Sequence, residues 1–430
     1  MNKKITLGLS SFQFMAMARR GLFYTFLALY LRDVLGLSVT ATTLLASLSM
    51  IANSLSQIFV WGKISDKYKA RTSLVVIGET IAAFGYILVY FLHIHLMESF
   101  SPEAAAYSII AGLSFLEFFW SMSNLGWSAL ISDLTTSSER GKLMSVISSV
   151  GGIGRITGIS VSGVLYDWGG KAGGGFENGM LFFFASGIML ISAVLIWSTT
   201  RSSEQAYRSG QTGKVLVQSA GIPKSRGSRV FYWLLASIFV VGIGVYSILQ
   251  ILTFYVDLDS PIGANSFDIA LITNSASIAT IAASLLAGPL ADRIGKKNAL
   301  GLGLVLTVIT PVLYTIAQNT VEMIIINSLS GISMAFISVV GYLLASDLIP
   351  AERRGRLFGR YNAVTYISFG IAGTLIGGPI ADYLINTGVD QAAAYATTFR
   401  VASAISLIGV LMFALKVKSD KSPNRIPQDE

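Results

Sequence analysis

Five ionisable residues lie inside long apolar runs: Arg19, Arg20, Glu79, Glu117 and Arg155. A charge at the centre of a membrane-spanning helix costs about 2.5–3.5 kcal/mol on insertion scales, so each needs a partner or a wet cavity. Counted from Ser10 at 1.5 Å per residue, Arg19 and Arg20 lie roughly 14 Å deep, near a bilayer midplane. Glu117 and Arg155 reach similar depth counted from Glu103 and Lys142, and Glu79 is shallower. A guanidinium grips carboxylates and phosphates through two donors, and a carboxylate of shifted pKa can carry a proton. The chemistry that these types support is binding and proton coupling.

Helical phase sorts them further. Gln13, Arg20 and Tyr24 share one face, a stripe suited to a cavity. Arg19 shares its face with Phe12, Phe23, Phe26 and Tyr30, which predicts packing against aromatics or a neighbouring helix. Ser114, Glu117, Ser121, Asn124 and Ser128 form a continuous polar stripe that must face something other than lipid. Glu117 is expected to face Arg20, Arg155 or both. The alternative is a buried ion pair that only fixes packing. Glu79 is expected to be a structural partner or a protonated carboxyl. Softer candidates are Tyr246, Gln250 and Thr253, Asn274 and Ser277, Asn327 and Ser330, Asn362 and Tyr366, and Asn53 and Gln57, each equally able to serve as an interhelical hydrogen bond.

Other chemistry finds little support. The chain has no cysteine and two histidines, and His93-x-His95 falls at the edge of an apolar run beside Tyr90 and Phe91. No phosphate-binding Gly-x-x-x-x-Gly-Lys-Ser/Thr motif is present. No metal, cofactor or enzymatic activity is expected.

These groups must be positioned by membrane helices. The chain is 53% hydrophobic and 13% charged, where a soluble domain carries about a quarter charged residues. Twelve apolar segments are long enough to cross a bilayer: 10–31, 40–61, 72–92, 103–131, 142–166, 179–197, 230–256, 267–291, 299–317, 321–346, 356–381 and 393–415. The reading is an all-α integral membrane protein in two pseudo-symmetric six-helix bundles. Residues 1–200 form the first bundle, 201–229 a basic linker, 230–418 the second bundle and 419–430 a tail. The net charge of +8 is topological and does not point to nucleic acid: all but six of the 31 Lys and Arg fall in the termini and loops of one side. The six are Arg19, Arg20 and Arg155 inside spans, with Arg32, Lys171 and Arg400 toward the other side. The positive-inside rule makes both termini cytoplasmic, in a multi-pass protein of the plasma membrane. The Arg19–Arg20 pair interrupts any signal-peptide core.

The halves echo each other in order. Gly62-Lys63-Ile64-Ser65-Asp66-Lys67 with Arg71 answers to Gly288-Pro289-Leu290-Ala291-Asp292-Arg293, both read as basic loops. Ser132-Asp133-Leu134 with Arg140 answers to Ser346-Asp347-Leu348 with Arg354. Ser162-Gly163-Val164-Leu165-Tyr166-Asp167 answers to Gly377-Gly378-Pro379-Ile380-Ala381-Asp382. Such repeats build many secondary transporters. The doubled Gly-x-x-x-Asp-basic motif after the second and eighth spans resembles that of the major facilitator superfamily, and the likeness covers nearly the whole chain. It implies two domains rocking about a cavity lined by the first, fourth, seventh and tenth spans. It also implies that Asp66 and Asp292 latch the domains, with Arg71, Asp133, Arg140, Asp347 and Arg354 in the same gating set. Drug-exporting antiporters of the family carry Gly-Pro in a glycine-rich fifth span. Here Gly151-Gly152-Ile153-Gly154-Arg155-Ile156-Thr157-Gly158 has arginine at that place.

The expected function is a monomeric, proton-coupled secondary transporter of a small anionic or polar organic solute. A proton-driven drug or metabolite exporter, an uncoupled facilitator or lipid flippase, and a non-transporting receptor are the alternatives. The expected lining is Arg20, Glu117, Arg155, Gln13, Tyr24, Asn124, Arg19, Tyr246, Gln250, Asn274 and Asn327. If Asp66 latches the domains, Asp66→Asn shifts the population toward the inward-facing state without unfolding. Accessibility of single introduced cysteines from each side of the membrane measures this shift, and unchanged accessibility would reduce the motif to a topological anchor.

Overall fold

Apolar runs that begin at Ser, Asn or Asp caps become long helices in the computed structural model, which describes residues 3–68, 70–134, 137–208, 227–349 and 354–417. Among these residues the chain forms twelve helical rods and no strand. In the first half α1 is Lys3–Leu29, running into a π turn at Tyr30–Val34. Helix α2 is Val39–Ser56, continued through a π turn at Gln57–Trp61 into Gly62–Tyr68. Then follow α3 Arg71–Ser99, α4 Pro102–Leu134, α5 Ser137–Tyr166 and α6 Met180–Arg208. In the second half α7 is Gly227–Ser247, extended by Leu249–Asp257. Next come α8 Ser266–Ile294, α9 Lys296–Tyr314 and α10 Thr320–Leu348. Helix α11 is Arg354–Ala372, continued through a π turn at Gly373–Gly377 into Gly378–Asn386, and α12 is Gln391–Lys416.

Local chemistry sets the ends. Ser38 accepts from the Ala41 N–H, Asn265 from Asp268, Asn319 from Glu322 and Asp390 from Ala393, so α2, α8, α10 and α12 start on side-chain caps. All four starts lie at one end of the bundle, called here the distal end, with the α1–α2, α7–α8, α9–α10 and α11–α12 turns.

The two sequence motifs expected as loops are mostly helix. Gly62–Tyr68 continues α2, and Arg71 Nη1 reaches back to the Ser65 carbonyl and hydroxyl, placing a cation on the last exposed carbonyls. Helix α8 runs through Pro289 to Ile294 and stops where Gly295 takes φ +87°, a conformation that suits glycine. The stretch expected as a linker is shortened by α6, which extends to Arg208, and by α7, which begins at Gly227. Residues 209–226 and the tail from 418 lie outside the described residues.

The same packing scheme appears twice. Helix α2 lies on α4 and α3 on α6, as α8 lies on α10 and α9 on α12. Helix α1 pairs with α5 as α7 pairs with α11, and the halves meet along α2–α11 and α5–α8. Ten of the rods are long and apolar enough to cross a membrane. The two that fall short, α1 and α5, are the arginine-bearing pair, and they pack against each other. Glycine makes this possible. A Cβ at Gly154 would strike the Phe14 carbonyl, one at Gly158 the Ala18 carbonyl, and one at Gly21 the Arg155 carbonyl.

Gly158→Val is therefore expected to destabilise the protein by at least about 1–3 kcal/mol. Gly187, a helical glycine with nothing within 4 Å of a built Cβ, is the control. Gly187→Ala should be neutral or gain up to about 1 kcal/mol. Thermal melts of the two variants in detergent check the contrast.

Candidate functional site

The glycine seam brings the three arginines together at mid-helix. Arg19 is 2% exposed, and its Nη1 donates to the Tyr86 hydroxyl at 2.6 Å. Its guanidinium lies 5.6 Å from the Tyr86 ring centre and 5.4 Å from that of Trp120. The Arg20 guanidinium lies 4.3 Å from the centre of the same Trp120 ring. One indole thus serves two cations, an arrangement worth about 0.5–2 kcal/mol per contact. The sequence-based expectation for Arg19 was right in kind. Its rings, however, come from α3 and α4 rather than from its own helix.

Arg155 keeps a solvent-reachable surface although protein surrounds it, as a residue lining a cleft does, and it lies within Coulomb reach of Arg20. Among the described residues no carboxylate stands at ion-pair distance from Arg19, Arg20 or Arg155. Gln13 lies on the α1–α5 contact, where a Cβ built on Gly151 would stand 3.0 Å from its side chain. Tyr24 shares a hydrogen bond with Tyr86 at 3.1 Å.

Glu117 differs from expectation. Its Oε2 accepts from Asn53 Nδ2 at 2.8 Å, and Asn53 Oδ1 accepts from Gln57 Nε2 at 2.6 Å. Ser49 faces Ser114 at 3.4 Å, and Ser56 bonds Ser121. The polar stripe of α4 is thus met by Ser49, Asn53 and Ser56 of α2, residues four and three apart, which fall on one helical face. A short amide on the adjacent helix reaches the carboxylate, whereas the Arg20 guanidinium lies over Trp120. Glu117 also borders a cavity of about 10 Å³, room for a single water, with Arg19, Tyr24, Tyr86 and Trp120. Two further nitrogens of Arg19 are buried without a hydrogen-bond partner. Asn124, half-buried, lies beyond the α2–α4 ladder, with its carbonyl accepting from Ser128 at 2.9 Å. Glu79 is 1% exposed and takes hydrogen bonds from Ser123 at 2.6 Å and Ser192 at 3.3 Å, inside the first half.

The softer candidates divide. Tyr246 and Gln250 line a cavity of about 30 Å³ between the halves, with Thr43, Ala46, Phe369 and Gly370. Asn274 donates to Ser160 across the α5–α8 contact at 3.0 Å. Asn327 is interior structure, because its carbonyl accepts from Tyr314 at 2.7 Å and its amide donates to the Ile272 carbonyl at 2.6 Å. Both ends of that side chain are engaged within the second half. Sequence reasoning missed Tyr86 and Trp120. Tyr86 follows Glu79 by seven residues on the same face of α3, and Trp120 sits three past Glu117, which are the available signals.

The gating set is only partly described. Asp347 pairs with Lys296 at 2.6 Å within the second half, Arg71 caps the end of α2, and Asp292 is exposed. The side chains of Asp66, Asp133, Arg140 and Arg354 lie outside the described residues. At the distal end contact is dense. Arg32 Nη2 donates to Gln391 at 2.9 Å, lies over the Phe254 and Tyr395 rings, and stands 3.3 Å from Asp33. Partial burial raises the Asp33 carboxyl above its ordinary value, against the pull of Arg32 and a hydrogen bond with Asp257. Thr43 meets Thr374 at 3.0 Å and Ser47 meets Thr374 at 2.6 Å. Every hydrogen bond found between the halves among the described residues lies in this distal half.

The sequence model of the Major Facilitator Superfamily matches residues 9–261 and 258–430. A multi-drug resistance efflux pump PmrA homolog of Lactococcus lactis is 23% identical over 365 residues, covering 84% of each chain. The quinolone resistance protein NorA of Staphylococcus aureus is 21% identical over 194 residues, 45% of this chain and 46% of that one. Among solved structures, the nucleoside transporter NupG superposes with a TM-score of 0.71 at 18% identity, covering 98% of this chain and 100% of its own. A bacterial homologue of the iron transporter ferroportin in its inward-facing state gives 0.69 at 16% identity, covering 97% and 98%.

The partner of Glu117 can be checked by double-mutant cycles. Asn53→Ala with Glu117→Ala should return a coupling of about 0.6 kcal/mol, at most about 1.7. Arg20→Ala with Glu117→Ala should couple near zero. Melting of the purified single and double variants supplies both values.

Proposed function

The chain belongs to the Major Facilitator Superfamily and is a membrane transporter, and we propose that it carries a small organic anion or polar solute coupled to protons. The observation that carries this reading is the cationic pair Arg20 and Arg155, within Coulomb reach of each other and, among the described residues, without a carboxylate at ion-pair distance. Two such charges in a low-dielectric setting repel each other, and an anionic solute relieves the repulsion. A cation entering the same place would meet repulsion, which is specificity by exclusion. In this reading Arg20, Arg155, Gln13 and Tyr24 contact solute from the first half, and Tyr246 and Gln250 close on it from the second.

Glu117 is the coupling group in this proposal. It borders the cavity beneath Arg19 and Trp120, and its carboxylate accepts a hydrogen bond from Asn53. Protonation would weaken that bond and loosen the α2–α4 ladder, which links the proton to helix movement. With termini cytoplasmic in the plasma membrane, the sealed distal end faces outward, and the conformation is the inward-facing one of a monomeric carrier. A second reading, drug efflux, is favoured by the multi-drug pump homolog that aligns over 84% of this chain.

Reconstituted protein tests both. Glu117→Gln should keep solute counterflow and lose pH-driven accumulation, whereas Arg20→Ala and Arg155→Ala should lose counterflow itself. Arg20→Lys should rescue poorly if the contact is bidentate. Equal accumulation by Glu117→Gln and its parent would remove the coupling role. Counterflow of cationic amphiphiles in preference to anions would establish the efflux reading instead.

A further inference from the structure

The start of α2 is completed by a residue of the other half. Ser38 takes only the Ala41 N–H, leaving the Val39 and Thr40 amides at the helix start. Asp382 on α11 accepts both, Val39 N–H on Oδ1 at 2.9 Å and Thr40 N–H on Oδ2 at 2.8 Å. The first amides of a helix have no partner within it, and its N-terminus attracts negative charge. A carboxylate from 343 positions away therefore occupies the capping place.

The arrangement has a counterpart. Ser266, the first residue of α8, donates its hydroxyl to Asp167 Oδ1 at 3.0 Å, at the end of α5. Asp167 and Asp382 are the last residues of matching repeat segments, 162–167 and 377–382. One element thus crosses from the first half to the second and its repeat crosses back. Both contacts lie at the distal end, where the halves meet.

We propose that Asp382 and Asp167 are the gating residues of the distal face, Asp382 closing it by capping α2 and Asp167 by taking the Ser266 hydroxyl at the start of α8. The strength fits a gate that must open in every cycle. When the halves part, water replaces the carboxylate on the amides and the amides on the carboxylate, so the net gain is that of an ordinary N-cap rather than of a buried ion pair. Asp382 serves two backbone amides and Asp167 one hydroxyl, so Asp382 holds more firmly.

The reporter is Ala46→Cys in this cysteine-free chain. Ala46 lines the cavity between α2, α7 and α11 and lies six residues past Thr40, beyond the first turn of α2. A membrane-impermeant thiol reagent is applied at the distal face, with no solute or pH gradient, so the result is independent of the proposed cargo and coupling. Asp382→Ala should raise the labelling rate about five- to thirtyfold. Asp382→Asn, which keeps one carbonyl acceptor, should fall between, and Asp167→Ala should give a smaller rise. A rise with Asp167→Ala separates parting of the halves from fraying of α2, since Asp167 touches α8 and not α2. Unchanged labelling in Asp382→Ala overturns the proposal. If that variant does not fold, unchanged labelling in Asp382→Asn does so equally.

Discussion

A guanidinium halfway along a membrane helix cannot be left without company, and here Arg19 and Arg20 are met by rings instead of carboxylates. Trp120 lies under both cations and Tyr86 adds a hydroxyl to Arg19. Aromatic faces stabilise a cation without neutralising it. Neither guanidinium is thereby tied to a carboxylate at ion-pair distance among the described residues. The carboxylates are engaged separately, Glu117 by an amide of α2 and Glu79 by two hydroxyls. In the proposed mechanism that separation would leave Arg155 and Arg20 to meet an anionic solute.

The same constraint orders the rest of the fold. Polar side chains in apolar helices must be answered by other helices. The α2–α4 ladder, the α1–α5 glycine seam and the α5–α8 contact are three answers to that demand. They differ in what they permit. The ladder bonds side chain to side chain and can re-pair, whereas the seam rests on backbone contact and has no slack.

Much of this was legible in the sequence. Span positions, the internal repeat and the polar stripe on α4 all follow from periodicity and composition, and the helices fall where the apolar runs do. Ser114, Glu117 and Ser121 of the α4 stripe meet α2 while Ser128 is exposed, and Glu117 takes Asn53 rather than the expected arginines. Periodicity gives the direction of Glu117 on its own helix and not the identity of the neighbouring helix, so a distant Arg20 was preferred to Asn53. Asp382 was visible as a repeat landmark. Its capping role was not, because a cap supplied across 343 positions leaves no local signature. The motifs at Gly62 and Gly288 read as loops because charge and glycine mark breaks, but helical hydrogen bonding continues through both.

The glycine seam between α1 and α5 has a kinetic meaning for selectivity. Backbones in direct contact along Gly21, Gly154 and Gly158 cannot slide past one another, so both helices ride as a single strut. Arg20 and Arg155 belong to that strut, so a rocking of the halves would carry their backbones together. If Arg20 and Arg155 hold the solute as proposed, a change in grip between the two sides would arise from the facing wall of Tyr246 and Gln250. Recognition would be a fixed instrument, and release the task of the opposite bundle.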